Sequence, residues 1–171
     1  MSALCLLDLT AAFASVDHEL LLARLERTFG VRGRVLAWFK SYSTGHKYCV
    51  IYAGASSSIK QVTSFIPQGS VLGPLLFLLY IADLADVAAK HGVMLYAFTD
   101  DMELYIHCEF HNMATSRDVL KRCIQDIDHW LLANRLKLNP NKTELLWTGI
   151  RNSLSKTHRQ RTMVGAWYRS E

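Results

Sequence analysis

Two adjacent acids, Asp100 and Asp101, lie between two apolar stretches of the chain, residues 93–98 and 102–107. Each stretch has the length and the apolar, aromatic content of a strand, which predicts a hairpin with a tight turn at Thr99-Asp100-Asp101. Neighbouring carboxylates repel each other, and partial burial adds a desolvation cost unless a positive group lies beside them. The pair therefore indicates either a cation site or an ordinary exposed turn, and the apolar flanks favour the cation site.

A third acid, Asp8, interrupts the apolar run over residues 3–9, which predicts a buried strand. A lone acid at that place can simply end the strand. Together with the acid pair it favours a shared metal site, because Mg²⁺ prefers oxygen ligands and often binds a few carboxylates with substrate phosphates. Two such ions can hold the attacking and leaving oxygens of a phosphoryl transfer.

The rest of the chain predicts an α+β fold in which strands and hairpins alternate with helices. Asp17 is expected to cap a helix that ends at Phe29, before Gly30. Further elements are a helix over 32–42, strands over 47–53 and 59–65 around a loop at 54–58, a helix from the 67–73 loop to about Lys90, a helix from Asn112 or Thr115 to Asn134, and strands over 136–139 and 144–148. This order indicates a sheet with helices on one face.

The composition permits a nucleic-acid partner without requiring one. Half of the 171 residues are apolar, enough for a core, and the formal net charge is +4. A group of basic residues lies in the predicted helical segment, where it indicates either a phosphate-binding surface or a solvated helix face. Its members are Arg24, Arg27, Arg32, Arg34 and Lys40.

The chain carries no sign of a secreted or membrane protein. Its four cysteines are scattered without a CxxC pair, which excludes the usual zinc spacing and favours reduced thiols. No secretory signal precedes Asp8, and the longest apolar run, residues 71–82, is interrupted by Pro74 and too short to span a bilayer. We therefore expect a nuclear or cytoplasmic protein that is not secreted and has no membrane partner.

Four segments occur in an order that resembles a known enzyme family. They are LLDLTAAFASVDH at 6–18, PQGSVLGPLLF at 67–77, FTDD at 98–101 and WLLANRLKLNPNKTELLW at 130–147. They resemble motifs A, B, C and D of reverse transcriptases from non-LTR (LINE-type, jockey-like) retrotransposons. The resemblance implies a partial polymerase palm over residues 1–150, with a ferredoxin-like antiparallel sheet, a divergent basic tail over 151–171, and fingers and thumb largely missing.

The resemblance assigns catalytic roles to four residues. Asp8 matches the acid of motif A, and Asp100 and Asp101 match the acid pair of motif C; together they would hold two Mg²⁺ ions, with Mn²⁺ as an alternative. Lys142 matches a motif D lysine that protonates the pyrophosphate leaving group. On sequence grounds alone, Lys142 is equally an exposed turn lysine.

Three further residues match positions that shape the nucleotide pocket. Phe13 matches the bulky side chain that crowds a ribose 2′-OH and favours deoxynucleotides, although it is also an ordinary core residue by sequence alone. Gln68 and Gly69 match the motif B loop, where glycine permits close approach of the backbone. The implied substrates are a dNTP, an RNA template and a DNA primer, and the implied partner is the rest of a retrotransposon polyprotein.

Two positions depart from the family pattern. Motif A usually reads AFDTVDH, whereas AFASVDH has Ala14 in place of an acid that is not the principal metal ligand. Motif C usually reads YADD, whereas Phe98 and Thr99 separate YA from DD here. A two-residue insertion preserves the inward face of a strand, and we expect a bulge or a longer hairpin arm to absorb it. These departures leave open a catalytically inactive relic or a nucleic-acid-binding fragment.

Overall fold

The computed structural model describes residues 1–148 and 162–163. The chain divides into two compact units, which we call the sheet unit (residues 1–12 and 81–171) and the inserted unit (residues 13–80). In chain order the elements are β1 (Ser2–Leu7), α1 (Ala12–Ser15), α2 (His18–Arg27), α3 (Gly33–Ser43), β2 (Lys47–Tyr48), β3 (Ile51–Tyr52), β4 (Ala55–Ser56), β5 (Lys60–Gln61), α4 (Gly73–Ile81), α5 (Leu84–Ala89), β6 (Met94–Phe98), β7 (Asp101–His107), a 3-10 turn (Phe110–Asn112), α6 (Met113–Ala133), β8 (Glu144–Thr148) and β9 (Thr162–Met163).

The sheet unit contains a five-stranded antiparallel sheet in the order β6-β7-β1-β8-β9. Side chains alternate between the faces of a strand, and in β1 every second residue, Ala3, Cys5 and Leu7, is buried. Burial, with a smaller contribution from the neighbouring Cys123 thiol of α6, raises the pKa of Cys5 to about 12. The buried face of β1 therefore packs against α6, and the antiparallel sheet with its helices confirms the predicted α+β class.

Helix α6 supplies the other half of this core. Its buried residues recur at the three- and four-residue spacing that lines one face of a helix, whereas the intervening residues are exposed or half-exposed. They are Ser116, Leu120, Cys123, Ile124, Ile127 and Leu131. The helix begins at Met113, so Asn112 takes the predicted N-cap position and Thr115 does not, although the Asn112 side chain makes no capping hydrogen bond.

The inserted unit is organised around α2 and α4. The Asp17 carboxylate accepts a hydrogen bond from the Leu20 amide at 3.0 Å, which confirms the predicted helix cap. The Arg24 guanidinium lies over the Tyr80 ring, 5.2 Å from its centroid, and donates to the Tyr80 carbonyl oxygen. Leu21 and Leu25 are buried on the same helix, so α2 contributes an apolar face as well as the contact of Arg24 with Tyr80.

Two predicted elements differ from the structure. The expected hairpin with a loop at 54–58 is instead a nested pair of short ladders, β2 with β5 and β3 with β4. Its turn is Ala53-Gly54, where both residues have positive φ, 49° and 81°, as in the tight turns that right-handed strand twist favours. The predicted helix to Lys90 is interrupted after Ile81, where the Ala85 amide bonds the Ala82 carbonyl at 3.3 Å in a tighter turn.

Two predicted strands are also shorter than expected. β1 ends at Leu7 rather than at residue 9, and residues 136–139 form no strand; an isolated bridge between Leu9 and Leu138 joins the two segments instead. The tail expected over 151–171 lies outside the described residues, except for β9. Within the part of the chain that the structure describes, none of the helices combines the length and apolarity needed to cross a bilayer.

Candidate active site

The acid pair lies at the tip of the β6–β7 hairpin. The antiparallel register continues without a break from Met94 opposite Tyr105 to Phe98 opposite Asp101. Thr99 and Asp100 therefore form a two-residue turn, and Asp101 is the first residue of β7. The regular register shows that the hairpin contains no bulge at Phe98 and Thr99.

Thr99 adopts an unusual backbone conformation in this turn. Its φ is +60°, a left-handed value that is an outlier for a β-branched residue. Two-residue hairpin turns usually give such positions to Gly, Asn or Asp. The Thr99 hydroxyl donates to the Asp100 carboxylate at 3.0 Å. Residues held in such conformations carry about 1–3 kcal/mol of strain, so the turn beside the acid pair stores local strain.

Asp8 lies at the corresponding end of the neighbouring strand. Leu7, the last residue of β1, pairs with Met102, which directly follows Asp101. Asp8 and Asp101 are therefore each one residue beyond the same antiparallel pair, on adjacent strands. In β1 the half-exposed residues alternate with buried ones, and Asp8 continues the half-exposed series of Leu4 and Leu6.

The backbone of Asp8 is held by the turn that follows α6. The Asn139 amide donates to the Asp8 carbonyl at 2.8 Å, and the Asp8 amide donates to the Thr143 hydroxyl at 3.4 Å. Thr143 is fully buried, and its hydroxyl donates to the Asn139 carbonyl at 2.9 Å. Lys142 belongs to this turn, since its amide bonds the same carbonyl at 3.2 Å, and it is exposed.

Asn139 and Thr143 were not among the residues that the sequence singled out. Their signal was nevertheless present in the segment NPNKT, because Asn and Thr side chains and the adjacent Pro favour turns with local hydrogen bonds. The structure thus brings Lys142 to the turn that binds the Asp8 main chain, and it brings Asp8 beside the hairpin that carries Asp100 and Asp101.

Phe13 is tied to the motif B segment within the inserted unit. Its carbonyl accepts a hydrogen bond from the buried Ile66 amide at 2.8 Å, and its ring centroid lies 5.2 Å from that of Phe77. The buried His18 ring accepts a hydrogen bond from the Phe65 amide at 3.0 Å. His18 is a further residue that sequence reasoning missed, although it ends the quoted motif A segment, and it fixes the chain just before motif B.

Gln68 and Gly69 form the centre of a turn. The Ser70 amide bonds the Pro67 carbonyl at 3.2 Å, Gln68 is exposed, and Gly69 has φ +83°, as expected at the third position of a type II turn. A Cβ at Gly69 would meet nothing within 4 Å, so conformation rather than crowding calls for glycine there.

Crowding instead occurs at Gly73, which opens α4. A Cβ there would lie 3.0 Å from the Pro67 carbonyl oxygen and 3.1 Å from the Ser70 hydroxyl oxygen. The Gly73 amide also donates to that hydroxyl at 3.0 Å. Gly73 therefore allows the motif B turn to close onto the start of the helix, a role that its position in PQGSVLGP did not reveal.

The donor chemistry of the acid trio fits a magnesium site. Asp8, Asp100 and Asp101 offer carboxylate oxygens, which Mg²⁺ prefers, and all three are at least partly accessible. Over residues 1–148 and 162–163, no three His, Cys, Asp or Glu side chains come close enough together to hold a metal ion. The strand ends thus bring the three carboxylates to the same end of the sheet, but the carboxylate groups do not surround one common metal position among the described residues.

Comparisons with known proteins agree with the motif order. Residues 2–166 match the family described as reverse transcriptase (RNA-dependent DNA polymerase). The "RNA-directed DNA polymerase from mobile element jockey" of Drosophila funebris is 29% identical over 143 residues, which is 81% of this chain and 15% of that protein. The "Probable RNA-directed DNA polymerase from transposon X-element" of Drosophila melanogaster is 37% identical over 98 residues, 56% of this chain and 11% of that protein.

A third relative, the "Probable RNA-directed DNA polymerase from transposon BS" of Drosophila melanogaster, is 29% identical over 142 residues, 80% of this chain. The chain spans 15% of the length of that protein, as it does for the jockey relative. The resemblance to non-LTR retrotransposon enzymes is thereby confirmed, and the antiparallel sheet with its helices corresponds to a fragment of their palm. The chain belongs to the reverse transcriptase (RNA-dependent DNA polymerase) family.

Proposed function

We propose that this chain is the palm of an RNA-directed DNA polymerase, which joins a dNTP to a primer 3′-OH opposite an RNA template. The pairing of Leu7 with Met102 carries the proposal. Because Asp8 follows Leu7 and Asp101 precedes Met102, this pairing makes the two acids neighbours on adjacent strands. Family membership supports the reaction class, and the rest of a retrotransposon polyprotein is the expected covalent partner.

The acid trio would supply the metal ligands. In this proposal Asp8, Asp100 and Asp101 hold two Mg²⁺ ions, with Mn²⁺ as an alternative, which supply charge neutralisation on the triphosphate. The primer 3′-hydroxyl would release its proton to solvent, and its oxygen would form a bond to the α-phosphorus while the bond from that phosphorus to the pyrophosphate oxygen breaks. The Lys142 ammonium gives a proton to the departing pyrophosphate oxygen. The hydrogen bonds from Asn139 and Thr143 keep the Asp8 backbone fixed throughout.

The residues of the inserted unit would select and orient the nucleotide. Phe13 crowds the ribose 2′ position and so favours deoxynucleotides. Its backbone is anchored by the Ile66 amide, and its ring contacts Phe77, which together restrict its motion. Gln68 and Gly69 form the exposed turn that would contact the base pair, and Gly73 keeps that turn closed. These residues would act by positioning the nucleotide, and a small displacement of the nucleotide would lower the reaction rate.

The inserted unit also has the charge expected of a nucleic-acid surface. No Asp or Glu occurs from residue 28 to residue 82, whereas five exposed basic residues do: Arg32, Arg34, Lys40, Lys47 and Lys60. Trp38 is 52% exposed and stacks on Tyr42 with ring centroids 5.6 Å apart. Basic residues that bind phosphates, beside aromatic rings on which bases stack, are typical of nucleic-acid grooves. We call the exposed α3 residues Arg34, Trp38 and Lys40 the basic aromatic surface.

Primer extension tests the polymerase proposal. The 171-residue chain is incubated with poly(rA)–oligo(dT), dTTP and Mg²⁺, and in parallel with Mn²⁺, alongside Asp100→Asn. Extension by the wild-type chain and its loss in the variant are expected, because the asparagine amide is a poorer ligand than a carboxylate. Equal extension by both proteins, or by neither, would overturn the proposal for this chain.

A second candidate function is nucleic-acid binding without polymerisation, as expected of an inactive relic. Two observations favour this alternative. Within the described residues the acid side chains do not converge on one metal position, and motif A has Ala14 where the family pattern has an acid. The basic aromatic surface would serve either function. Tight, salt-sensitive binding of poly(rA)–oligo(dT) with no extension in Mg²⁺ or Mn²⁺ would favour the second candidate over the first.

A further inference from the structure

The turn after α6 reaches the main chain of Asp8, although it lies 135 positions away in the sequence. We infer that Thr143 is a positioning residue for Asp8, whose hydroxyl fixes the backbone from which the motif A carboxylate projects. This inference rests on the proposed function, because it requires Asp8 to be a metal ligand. It assigns a role to a residue that contacts neither the nucleotide nor the metal in that proposal.

Both main-chain polar groups of Asp8 are bonded to the same turn. The Asp8 carbonyl accepts from the Asn139 amide at 2.8 Å, and the Asp8 amide donates to the Thr143 hydroxyl at 3.4 Å. β1 has already ended at Leu7, so Asp8 lies beyond the regular ladder of the sheet. The turn therefore substitutes for strand pairing at the residue whose side chain must be held most accurately.

The Thr143 hydroxyl is well suited to this task. It accepts from the Asp8 amide and donates to the Asn139 carbonyl at 2.9 Å, so a single oxygen joins the two segments. Thr143 is 0% exposed, which keeps water from competing for either bond. A side chain of the same shape without the hydroxyl would leave the partly buried Asp8 amide without this acceptor, and Asp8 would be free to shift.

The same turn carries Lys142. The Lys142 amide bonds the Asn139 carbonyl at 3.2 Å, the oxygen that also accepts from the Thr143 hydroxyl. Loosening Thr143 is therefore expected to displace Asp8 and Lys142 together. A displacement of about 1 Å can reduce the rate of a reaction about a hundredfold. Thr143 thus links the proposed metal ligand of motif A to the proposed proton donor of motif D.

The test compares Thr143→Val, which keeps the branched shape, with Thr143→Ser, which keeps the hydroxyl. The control is Ile127→Val in the buried core of α6, a change that destabilises the sheet unit without touching the turn. Binding of Mn²⁺ to the 171-residue chain is measured by electron paramagnetic resonance, with Asp8→Asn as reference. Where extension is detectable, kcat and the dTTP KM are measured separately.

The inference predicts that Thr143→Val weakens Mn²⁺ binding about tenfold, the usual cost of losing a group that orients a ligand. Thr143→Ser and Ile127→Val should bind Mn²⁺ as the wild type does. In extension, Thr143→Val should lower kcat and leave the KM for dTTP nearly unchanged. If Thr143→Val does not fold, Thr143→Cys takes its place, since a thiol is a weak hydrogen-bonding group of similar size and an intermediate loss is expected.

The possible failures are distinguishable. If wild type and Asp8→Asn bind Mn²⁺ equally, Asp8 is not a ligand, and the proposed function falls together with the inference. If Asp8→Asn loses Mn²⁺ binding while folded Thr143→Val retains it, only the positioning role is overturned. Equal weakening by Thr143→Val and Ile127→Val would mean that Thr143 contributes stability alone, and this too would overturn the inference.

Discussion

Leu7 and Met102 face each other as the last antiparallel pair between β1 and β7, and an acid lies immediately beyond each of them. Asp8 follows Leu7, and Asp101 precedes Met102, so two segments that are far apart in the sequence present carboxylates at the same edge of the sheet. Neighbouring carboxylates repel each other unless a cation lies between them. A cation bound between Asp8 and Asp101 would therefore relieve the repulsion between their carboxylates.

The first prediction concerns these acids. Asp8→Asn and Asp101→Asn are each expected to reduce primer extension by about a hundredfold or more, because each removes electrostatic stabilisation of the transition state. The rate of dTTP incorporation on poly(rA)–oligo(dT) measures the effect. Glu103→Gln is the matched control, since Glu103 is an exposed acid on the same strand, two residues from Asp101. A loss in Glu103→Gln as large as in Asp101→Asn would contradict the assignment.

The hairpin that carries Asp100 and Asp101 was predictable from sequence, and the reason is physical. Period-two alternation and the position of the turn determine which residues end β6 and begin β7, so Asp100 and Asp101 follow from local pattern alone. Asp8 was likewise identified as a lone acid in an apolar run, and its motif resemblance agreed with that. In contrast, the hydrogen bond between Asp8 and Thr143 joins residues 135 positions apart, and no local pattern encodes such a contact.

Other differences arise where local preferences are weak. The expected helix to Lys90 breaks at Ala82-Asp83, where Asp83 has a low helix propensity and takes the N-cap position of α5. Residues 47–61 contain enough β-branched and aromatic residues for long strands, yet form only two-residue ladders whose side chains are exposed. Without a buried face, the alternating pattern does not fix how far each strand extends.

The second prediction concerns the strained turn. Thr99→Asn is expected to raise the free energy of unfolding by about 1 kcal/mol, because Asn tolerates a left-handed φ far better than a β-branched residue does. Urea unfolding followed by far-ultraviolet circular dichroism measures the change. Thr99→Val keeps the β-branch and removes the hydroxyl that bonds Asp100, so it should be no more stable than the wild type. A less stable Thr99→Asn would show that the turn is unstrained.

The third prediction distinguishes two glycines of motif B. Gly73→Ala should lower the free energy of unfolding by about 1–3 kcal/mol, the usual cost of overpacking, because the added methyl group would lie 3.0 Å from the Pro67 carbonyl oxygen. Gly69→Ala should also destabilise, but through its positive φ of 83°. Thermal unfolding measures both variants.

Gly69→Asn separates the two causes, since Asn tolerates a left-handed backbone and the site has open space. It should recover most of the stability that Gly69→Ala loses, whereas Gly73→Asn should be at least as unstable as Gly73→Ala. Equal stabilities for Gly69→Asn and Gly69→Ala would argue against a conformational role for Gly69.

The fourth prediction follows from buried thiols. Burial raises the pKa of Cys5 and of Cys123 to about 12 each, whereas Cys49 is exposed. Only thiolates react with iodoacetamide, so at pH 8 Cys49 should be modified first, and Cys5 and Cys123 only after the chain unfolds. Peptide mapping by mass spectrometry after timed exposure checks this order. Modification of Cys5 as fast as Cys49 in the folded chain would contradict the burial of β1.

The same shifts have a consequence for stability. A pKa that is higher in the folded state means that the folded chain holds its proton more tightly than the unfolded chain does. The contribution of these thiols is therefore complete below their ordinary pKa of 9.0 and is lost as the pH rises from there toward about 12. Urea unfolding at pH 8 and pH 10 should accordingly show a lower free energy of unfolding at the higher pH.

The last prediction concerns the basic aromatic surface. The double variant Arg34→Gln/Lys40→Gln should weaken binding to a template–primer duplex. It should also make the slope of log K against log salt less negative by about 1.8, because fewer counterions are released on binding when two phosphate contacts are lost. Fluorescence anisotropy from about 50 to 200 mM salt, a range over which several phosphate contacts lose orders of magnitude in affinity, measures the slope.

Two matched variants show whether this surface acts through charge, stacking or both. Lys121→Gln/Arg122→Gln removes the same charge from α6 and should leave the slope unchanged, because those residues lie outside the basic aromatic surface. Trp38→Leu should weaken binding without changing the slope, because a base stacked on the exposed indole contributes affinity but neutralises no phosphate. If the α6 variant lowers the slope as much as Arg34→Gln/Lys40→Gln, binding depends on net charge alone. The inserted unit would then have no specific role in holding nucleic acid.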